Sequence, residues 1–506
     1  MTMYYKKTYF KLLLIVLVLL TNKAIQAQSY IDYSLLNAQN YYNAEARLYD
    51  DTLQRNVITA CKPFNLQNIT NDALTKNKKY IRRKLFIQDF IVINDSNNAY
   101  LRINPILGVS ISNDSAHSYQ NTRGVYANGR LGKYLEFNTW FTENQALLPS
   151  YMQAYAKATE IIPGQGRYKQ YKKTGVDYTN ASGYISYTRK YVAVQVGSGK
   201  MSIGDGYRCL LMSANSLNYP FVRVSFNYRN FFYQTQYALL THIDLNRYTT
   251  YVGSTEPYFD KSALTTHTLG ASFFKHKLQL TLFDMRQTEA SFNTSKGKFN
   301  GAMLNPFITL LPATTTNSGM CVKYRFVKKA YVYAQWLLNS FNMGKQLGIK
   351  SLDSFTLKGL TLQAEYTSNN ALQSTVLHYN QPMAHPWNYN YNEIYATLNY
   401  VSNYGIGITA SYNYLTPYNS LTTTIREGNI STINTNNSSG AHPSYFAEIQ
   451  NQKITKLGLF YIPNNANYLM LTANYEQRSN TGTKIYNSNY LTVGVQCKLS
   501  NVFTDF

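Results

Sequence analysis

Residues Tyr490 to Leu499 read Tyr-Leu-Thr-Val-Gly-Val-Gln-Cys-Lys-Leu. Apolar side chains occupy every second position of this stretch, from Leu491 onwards. The positions between them hold small or polar residues: Thr492, Gly494, Gln496 and Lys498. Because successive side chains of a β-strand point to opposite faces, the pattern predicts a strand with one apolar and one polar face. Its length of about ten residues matches a tilted strand that crosses a membrane.

The same alternation recurs along the chain. It is clear in 101–111, 222–229, 360–367 and 406–413. A soluble β-sandwich also alternates, so a single segment does not identify the class. The polar faces here carry Thr, Gln, Asn, Gly and Ser, as the wall of a wet lumen does, and seldom Lys or Glu. We therefore expect Leu362 to face lipid and its neighbour Gln363 to face water in the lumen.

Composition also favours a barrel over a soluble domain. Aromatic residues make 15% of the chain and charged residues only 14%, well below the roughly 25% of soluble globular proteins. Mean hydropathy is −0.33, and no window after the N-terminus has the length of apolar sequence that a membrane-spanning helix needs. A closed barrel is the other structure that crosses lipid with its backbone satisfied. The predicted fold class is all-β, an antiparallel transmembrane β-barrel.

The N-terminus has the layout of a cleavable secretory signal. A basic segment that includes Lys6, Lys7 and Lys11 precedes the apolar run 12–20, and small residues lead to Ala27. This layout predicts cleavage after Ala27. Residues 1–27 hold four Lys and no acid, so the formal net charge falls from +23 to +19 on cleavage. The mature chain is expected in the outer membrane of a Gram-negative envelope.

The chain then divides into two parts. Residues 28–95 lack strict alternation and include the basic cluster Lys76–Lys84, and they are interpreted as a small, partly helical segment on the periplasmic side. Residues 96–506 form the barrel. Phe506 ends the chain just after the last strand, and this terminal aromatic residue predicts recognition by outer-membrane insertion machinery.

Loop lengths give an orientation. Counting back from a periplasmic C-terminus, the long connections 415–450 and 368–389 lie outside and the short turns 402–404 and 463–465 lie inside, as is typical of these barrels. Two connections break the rule: 340–355 is a long inner connection, and a tight hairpin near Lys328 falls on the outer side.

Nothing in the chain indicates an enzyme or a metal site. The Gly197–Lys200 run lacks the spacing of a phosphate loop. The seven His form no metal-binding motif, and no nucleophile elbow is present. Four acids could in principle form a glycosidase pair, but nothing places any two at the needed separation: Glu143, Asp177, Asp205 and Glu365. We expect no catalytic residue, no metal and no cofactor. Disulfides among the four Cys are permitted but not implied.

A dense Gly-rich region lies between Ile162 and Val222. It contains Pro-Gly-Gln-Gly-Arg at 163–167, Ile-Gly-Asp-Gly-Tyr-Arg at 203–208 and Asn-Tyr-Pro-Phe at 218–221. Asp, Tyr and Arg held between glycines suit sugar recognition, because aromatic faces stack on pyranose rings and fixed polar groups bind hydroxyls. The alternative is that the glycines make bulges and turns, with Asp205 and Arg208 as a structural ion pair.

These motifs, together with Ser-Gly-Tyr-Ile-Ser-Tyr at 182–187 and His-Tyr-Asn-Gln-Pro-Met-Ala-His-Pro at 378–386, resemble the Wzi-like capsule-assembly family. The similarity is closest to its Bacteroidota branch, the RemB-type gliding-motility outer-membrane proteins. The resemblance implies an outer-membrane barrel of about 18 strands that binds capsular polysaccharide without catalysis. From their chemistry, the expected polysaccharide-binding residues are Arg167, Asp205, Tyr207, Arg208, Tyr219, His378, Gln381 and His385.

The function predicted from the sequence is therefore non-enzymatic binding or organisation of capsular polysaccharide or exopolysaccharide at the cell surface, with a link to gliding motility or adhesion. The expected partners are outer-membrane lipid and lipopolysaccharide, surface polysaccharide, insertion machinery, and gliding or adhesion proteins. Export argues against nucleic acid as the target of the basic charge. The alternative is a porin-like channel for small solutes. Loops that fold into the lumen favour binding, whereas a continuous polar pore favours transport.

Overall fold

The computed structural model describes residues 38–50, 58–63, 89–95, 99–243, 259–288, 299, 303, 315–339, 342–370, 376–387, 390–417, 449–464, 469–482 and 487–497. Three expectations lie outside the described residues: the signal segment 1–27, the basic cluster 76–84, and the terminal Phe506. No helix within these ranges combines the length and the apolar character needed to cross a membrane.

Eighteen antiparallel strands close into a barrel, which confirms the predicted fold class. Strands that follow one another in the ring pair side by side along the wall, and the last strand pairs with the first of the ring. The ring strands are β3 (Ala99–Ser112), β4 (Tyr119–Leu131), β5 (Leu135–Leu147), β7 (Gly175–Arg189), β8 (Val192–Gly199), β10 (Tyr219–Tyr228), β11 (Phe231–Ile243), β12 (Phe259–Phe273), β13 (Leu278–Gln287), β14 (Thr315–Val327), β15 (Ala330–Asn339), β16 (Asn342–Leu352), β17 (Leu360–Asn369), β20 (Tyr391–Val401), β21 (Ile406–Pro417), β22 (Ile449–Asn464), β23 (Leu469–Gly482) and β24 (Ser488–Cys497).

Shorter elements complete the described chain. They are helices α1 (Ala38–Asp50) and α2 (Ser150–Thr159), a 3-10 turn at Ser354–Thr356, and strands β1 (Cys61–Lys62), β2 (Ile91–Asp95), β6 (Lys169–Tyr171), β9 (Ser202–Ile203), β18 (Leu377–His378) and β19 (Gln381–Pro382). Strand β1 pairs with β9, and β18 pairs with β19, in two small sheets separate from the wall.

The barrel closes with help from β2. Strand β24 pairs with β3 only along 109–112, while β2 pairs with the first half of the same edge, along 99–103. Two strands therefore share one edge of β3. The wall begins at Ile91, five residues before the boundary expected from the sequence.

The two faces of each strand are as the alternation predicts. In β24, Leu491 and Val493 are 43% and 47% exposed on the outside, while Tyr490 is 7% exposed and points inward. Strand β17 likewise buries Thr361, Gln363, Glu365 and Thr367 toward the lumen. The outer surface is thus an apolar band that suits lipid.

The two ends of the barrel differ in connection length. We call the end with the short turns, such as 132–134, 229–230 and 328–329, the periplasmic end, and the end with the long connections the outer end. The expectation that Lys328 lies in an outer hairpin was wrong. Residues 342–352 form strand β16, although the sequence predicted that they belong to an inner connection. Because each additional strand reverses the direction of the chain, Lys328 lies at the periplasmic end.

Helix α1 lies inside the barrel. Its Glu45 contacts Lys323, Tyr331 and Lys350, which belong to the periplasmic halves of β14, β15 and β16. The segment expected on the periplasmic side is therefore enclosed by the wall where the structure describes it. Tertiary packing against inward-facing polar residues explains this position, which local sequence does not show.

Candidate functional site

Among the residues that the structure describes, the contacts inside the wall are made largely by the two helices and four further segments: residues 58–63, the 161–167 loop, the 200–218 loop and the 376–387 loop. With α1 and α2, we call them the lumenal plug. Three of the five family-like motifs, 163–167, 203–208 and 378–386, lie in these loops, whereas 182–187 lies in β7 and 218–221 lies at the start of β10.

The 200–218 loop runs across the lumen close to the wall opposite. Gly204 has φ +127, and a Cβ there would overlap the Gln335 side chain of β15. A Cβ on Gly206 would collide with Gln346 of β16. The two glycines of the 203–208 motif thus allow the backbone to approach the wall where any side chain would be excluded.

A buried charge network fixes the loop beside α1. Lys323 Nζ lies 3.1 Å from Asp205 Oδ1 and 2.8 Å from Glu45 Oε1. Lys350 donates to the Asp205 carbonyl at 3.0 Å, and Lys62 donates to the Gly204 carbonyl at 3.0 Å. Nearby cations hold the pKa of Glu45 well below its usual range, against the opposing effect of burial. Such pairing is what makes buried charges tolerable.

Tyr207 and Arg208 anchor the same loop to β17 and β20. The Tyr207 ring stacks on Tyr395 with a centroid distance of 4.1 Å and an interplanar angle of 3°, and its N–H donates to Glu365 at 2.7 Å. Arg208 forms an ion pair with Glu393 in which the two side chains are 1% and 3% exposed. The expected ion pair is therefore replaced by two others, Asp205 with Lys323 and Arg208 with Glu393.

Glu393 also joins the 376–387 loop to this anchor. His385 Nε2 lies 2.7 Å from Glu393 Oε2, and His385 Nδ1 accepts the Trp387 N–H at 3.2 Å. The His385 ring stacks on Tyr391 at 4.2 Å. One carboxylate thus connects two expected site residues, Arg208 and His385, that are far apart in sequence.

The 161–167 loop packs against both other loops. Gly164 N–H donates to Gln381 Oε1 at 2.6 Å. Lys200 Nζ donates to the carbonyls of Gly164 at 3.1 Å and Ala214 at 3.2 Å. Burial lowers the pKa of Lys200 to about 7, because it penalises the charged form of the side chain. Lys200 therefore clamps two loops together.

His378 fastens the 376–387 loop to the outer end of β11. Its Nδ1 accepts the Thr241 N–H at 3.0 Å, and its Nε2 lies 3.1 Å from the Asn218 carbonyl, to which it donates. Tyr219 meets the His378 ring edge-on at 5.9 Å. Burial lowers the pKa of His378 to about 3, so the ring is neutral at physiological pH.

Apolar packing reinforces these contacts within the lumen. One buried cluster joins loop residues to inward-facing wall residues: Met201, Ile203, Leu210, Leu211, Met212, Tyr219, Phe221, Ala238, Leu240, Leu264, Phe283, Met285, Cys321, Leu337, Val376 and Met383. A second cluster packs α2 against Tyr391 and Leu415, at the outer ends of β20 and β21. The plug and the inward face of the wall therefore share a hydrophobic core.

Seven of the eight expected site residues lie in this plug, and Tyr219 lies beside it at the start of β10. Asp205, Arg208, Tyr219, His378, Gln381 and His385 are at most 2% exposed. Tyr207 and Arg167 are half-buried, and the Arg167 guanidinium lies 5.6 Å from the Phe259 ring centroid. Most of the expected residues thus make packing contacts among loops and wall.

A basic hairpin at the outer end was not singled out from the sequence. Lys169, Lys172 and Lys173 are exposed there, and Lys172 Nζ lies 5.2 Å from the ring centroid of half-buried Tyr171. Lys157, on α2, is also exposed. The signal in the sequence was the run Lys-Gln-Tyr-Lys-Lys at 169–173, which follows directly on one of the motifs.

The four acids considered for catalysis do not share a site. Asp205 and Glu365 lie in the plug network, whereas Glu143 pairs with Arg123 at 2.9 Å on the outside of the wall. Asp177 lies on β7, opposite Gln145 of β5. Among the residues described, no group of His, Cys, Asp and Glu could hold a metal ion. All four cysteines are free thiols, three of them buried.

The fold is similar to that of a solved outer-membrane barrel. That protein is Wzi from Escherichia coli, described as involved in group 1 capsule assembly and as a carbohydrate-binding β-barrel; the alignment covers 92% of this chain and 100% of that one, at 11% identity and a TM-score of 0.58. Two others are more distant: OccAB2 of Acinetobacter baumannii (10% identity, 79% and 98% covered, TM-score 0.44) and OprD of Pseudomonas aeruginosa (10%, 81% and 94%, 0.42).

Comparisons of sequence alone give no match. No family model matches the chain, and no curated protein does. The Wzi-like fold is therefore supported through the structure.

Proposed function

We propose that this protein binds or organises capsular polysaccharide or exopolysaccharide at the cell surface, without catalysing a reaction. The observation that carries the proposal is the lumenal plug. Loops that would border a channel instead fold inward, pair with wall residues and build a hydrophobic core. A lumen occupied in this way favours binding at the outer mouth over passage of solutes.

The proposed binding surface is the basic hairpin with its neighbours on the mouth. Lys169, Lys172 and Lys173 present exposed positive charge, and Tyr171 supplies an aromatic face beside them. Lysine ammonium groups attract carboxylate- and phosphate-bearing polymers, and aromatic faces suit the apolar faces of sugar rings. The substrate class is therefore an acidic polysaccharide.

The residues expected from the motifs take two roles in this proposal. Arg167 lies at the base of the hairpin and is assigned to contact with polymer. Asp205, Arg208 and the other buried members act as positioning residues, because their partners are wall and loop groups. They hold the loops on which the mouth is built.

The resemblance of the sequence motifs supports a more specific proposal about the biological process in which the protein acts. The Wzi structure is described as carbohydrate binding, and the resemblance to RemB-type proteins adds gliding motility or adhesion. We include in the proposal export by cleavage near Ala27, insertion by the outer-membrane machinery, and contact with lipopolysaccharide around the barrel.

Binding of alginate, a polymer of uronic acids, to the purified full-length protein tests the proposal. The triple variant Lys169→Gln, Lys172→Gln, Lys173→Gln should bind alginate at least about tenfold more weakly at low salt. The difference in alginate affinity between the variant and the unaltered protein should become smaller as salt rises, because exposed charges are screened within about 8–10 Å at physiological ionic strength.

The matched control removes three cations from periplasmic turns: Lys275→Gln, Lys277→Gln and Lys328→Gln. It makes the same change in net charge and should bind alginate as the unaltered protein does. Equal losses in both variants would show that only net charge matters. An unaltered barrel that binds neither alginate nor the polysaccharide of its own cell would overturn the proposal.

A further inference from the structure

The periplasmic turns carry their charge on one side of the barrel. Five consecutive turns, from β4–β5 to β14–β15, hold eight cations: Lys133, Arg189, Lys190, Arg229, Lys275, Lys277, Lys328 and Lys329. Lys329 is ion-paired with Asp353 of the β16–β17 connection. The turn sequences 131–135, 189–192, 228–231, 273–278 and 327–330 contain no acid. The two other connections that the structure describes in full at this end differ, since 353–359 holds Asp353 with Lys358, and 402–405 holds no charged residue.

Aromatic side chains stand next to these cations on the outside of the wall. Lys190 Nζ lies 4.7 Å from the Tyr191 ring centroid, and the Arg229 guanidinium lies 5.3 Å from that of Tyr228. The Tyr191 and Tyr228 rings meet edge-on at 5.3 Å. Each ring is more than a third exposed.

The next turn along the wall repeats this arrangement. Lys133 Nζ and the Arg189 guanidinium lie 5.6 Å and 5.9 Å from the Tyr134 ring centroid. Tyr134 packs against Tyr187 at 5.9 Å. The outward rings continue around the same side with Phe231, Phe273, Phe274, Tyr324 and Phe326, all exposed.

We propose that these five turns form a one-sided binding band for the anionic headgroups of phospholipids in the periplasmic leaflet. Tyr side chains at the edge of an apolar band lie at headgroup depth, and the cations beside them reach the phosphates. The turns are tight, so they hold the cations close to the membrane surface. This position suits contact with a lipid headgroup better than contact with a soluble partner in the periplasm.

The one-sided distribution of cations should make the lipid composition around the barrel uneven. Anionic phospholipid should collect along the β4–β15 side and not along the β16–β23 side. Each cation near an anionic surface contributes about 1 kcal/mol, which corresponds to about a fivefold change in the local enrichment of the lipid.

The test places the full-length protein in nanodiscs that contain phosphatidylethanolamine and phosphatidylglycerol, and measures by native mass spectrometry which lipids stay bound on release. The unaltered protein should retain phosphatidylglycerol preferentially. In the variant Lys133→Gln, Arg189→Gln, Lys190→Gln, Arg229→Gln, the ratio of retained phosphatidylglycerol to retained phosphatidylethanolamine should fall at least about tenfold. Its heat-modifiable migration in electrophoresis reports whether it is folded.

The control variant removes four cations from the outer end, Lys157→Gln, Lys169→Gln, Lys172→Gln and Lys173→Gln, and should keep the preference. No preference in the unaltered protein, or equal losses in both variants, would overturn the proposal. So would a turn variant that keeps its lipid preference but loses binding to alginate, since that outcome assigns the turns to a soluble acidic polymer. The result is independent of the proposed function, which rests on the outer-end cations.

Discussion

Arg208 and Glu393 form a buried ion pair between the 200–218 loop and strand β20, although 185 residues separate them in the chain. Glu393 also accepts the side-chain N–H of Asn413 and contacts His385. The pair therefore connects the centre of the plug to the wall and to the 376–387 loop.

Removing one member of this pair should be costly. Arg208→Met leaves Glu393 as a buried carboxylate without its guanidinium, and breaking a buried pair in this way costs about 3–5 kcal/mol. The double variant Arg208→Met, Glu393→Gln should recover part of the loss, because no charge is left uncompensated. Thermal unfolding in detergent of the unaltered protein, Arg208→Met, Glu393→Gln and the double variant measures the coupling between the two side chains.

The control for that cycle is Arg123→Met. Arg123 pairs with Glu143 on the outside of the wall, where the two side chains are 60% and 37% exposed and take no part in the plug. Its melting temperature should stay close to that of the unaltered protein. A drop as large as that of Arg208→Met would show that the assay responds to any lost cation.

Acid should loosen the 376–387 loop through His378. The pKa of His378 is lowered to about 3 in the folded state from an ordinary value near 6.5. A depressed pKa gives stability that is fully present above about pH 6.5 and is lost as pH falls toward 3. At pH 5 the loss is about 2 kcal/mol, at about 1.36 kcal/mol per pH unit.

The Thr241 N–H donates a hydrogen bond to His378, so hydrogen exchange of this amide reports the loss of loop stability. The protection factor of this amide, which is its intrinsic exchange rate divided by its observed rate, should fall between pH 7 and pH 5. His378→Gln cannot titrate, so its protection should not vary over that interval. Equal pH responses in the two proteins would contradict the role given to His378.

A charge placed on the outer surface should impair assembly. Leu347 lies near the middle of β16 and is 50% exposed on the outside. Leu347→Arg should cost about 2–4 kcal/mol near the middle of the bilayer, whereas Leu347→Met should be tolerated. The fraction of heat-modifiable protein recovered from outer-membrane preparations measures the difference, and equal recovery would mean that no bilayer surrounds this strand.

The barrel could be predicted because alternation is a local property of each strand. The chain from Leu360 to Thr367 shows its two faces without reference to any neighbour. Strand β16 was not predicted, because its alternation is weak. Its inward positions include Gly344 and Gly348, and its outward positions include the exposed Lys345.

The plug could not be predicted, because it depends on contacts between distant residues. Lys323 meets Asp205 across 118 residues, and no local pattern encodes that pairing. For the same reason Gln363 was expected to face water, yet its side chain donates to the Asp205 carbonyl at 3.3 Å and to Tyr333 at 2.9 Å. Its substitution by Arg would therefore disturb the plug.

The central claim is that the inward loops fill the lumen, so that the protein binds at its mouth and does not conduct. Influx of small sugars into liposomes that contain the purified protein tests it most directly. The unaltered protein should admit sugars no faster than protein-free liposomes do, whereas a variant with residues 201–217 replaced by a short Gly-Ser linker should admit them readily. Rapid influx through the unaltered protein would contradict the claim and favour a porin-like channel.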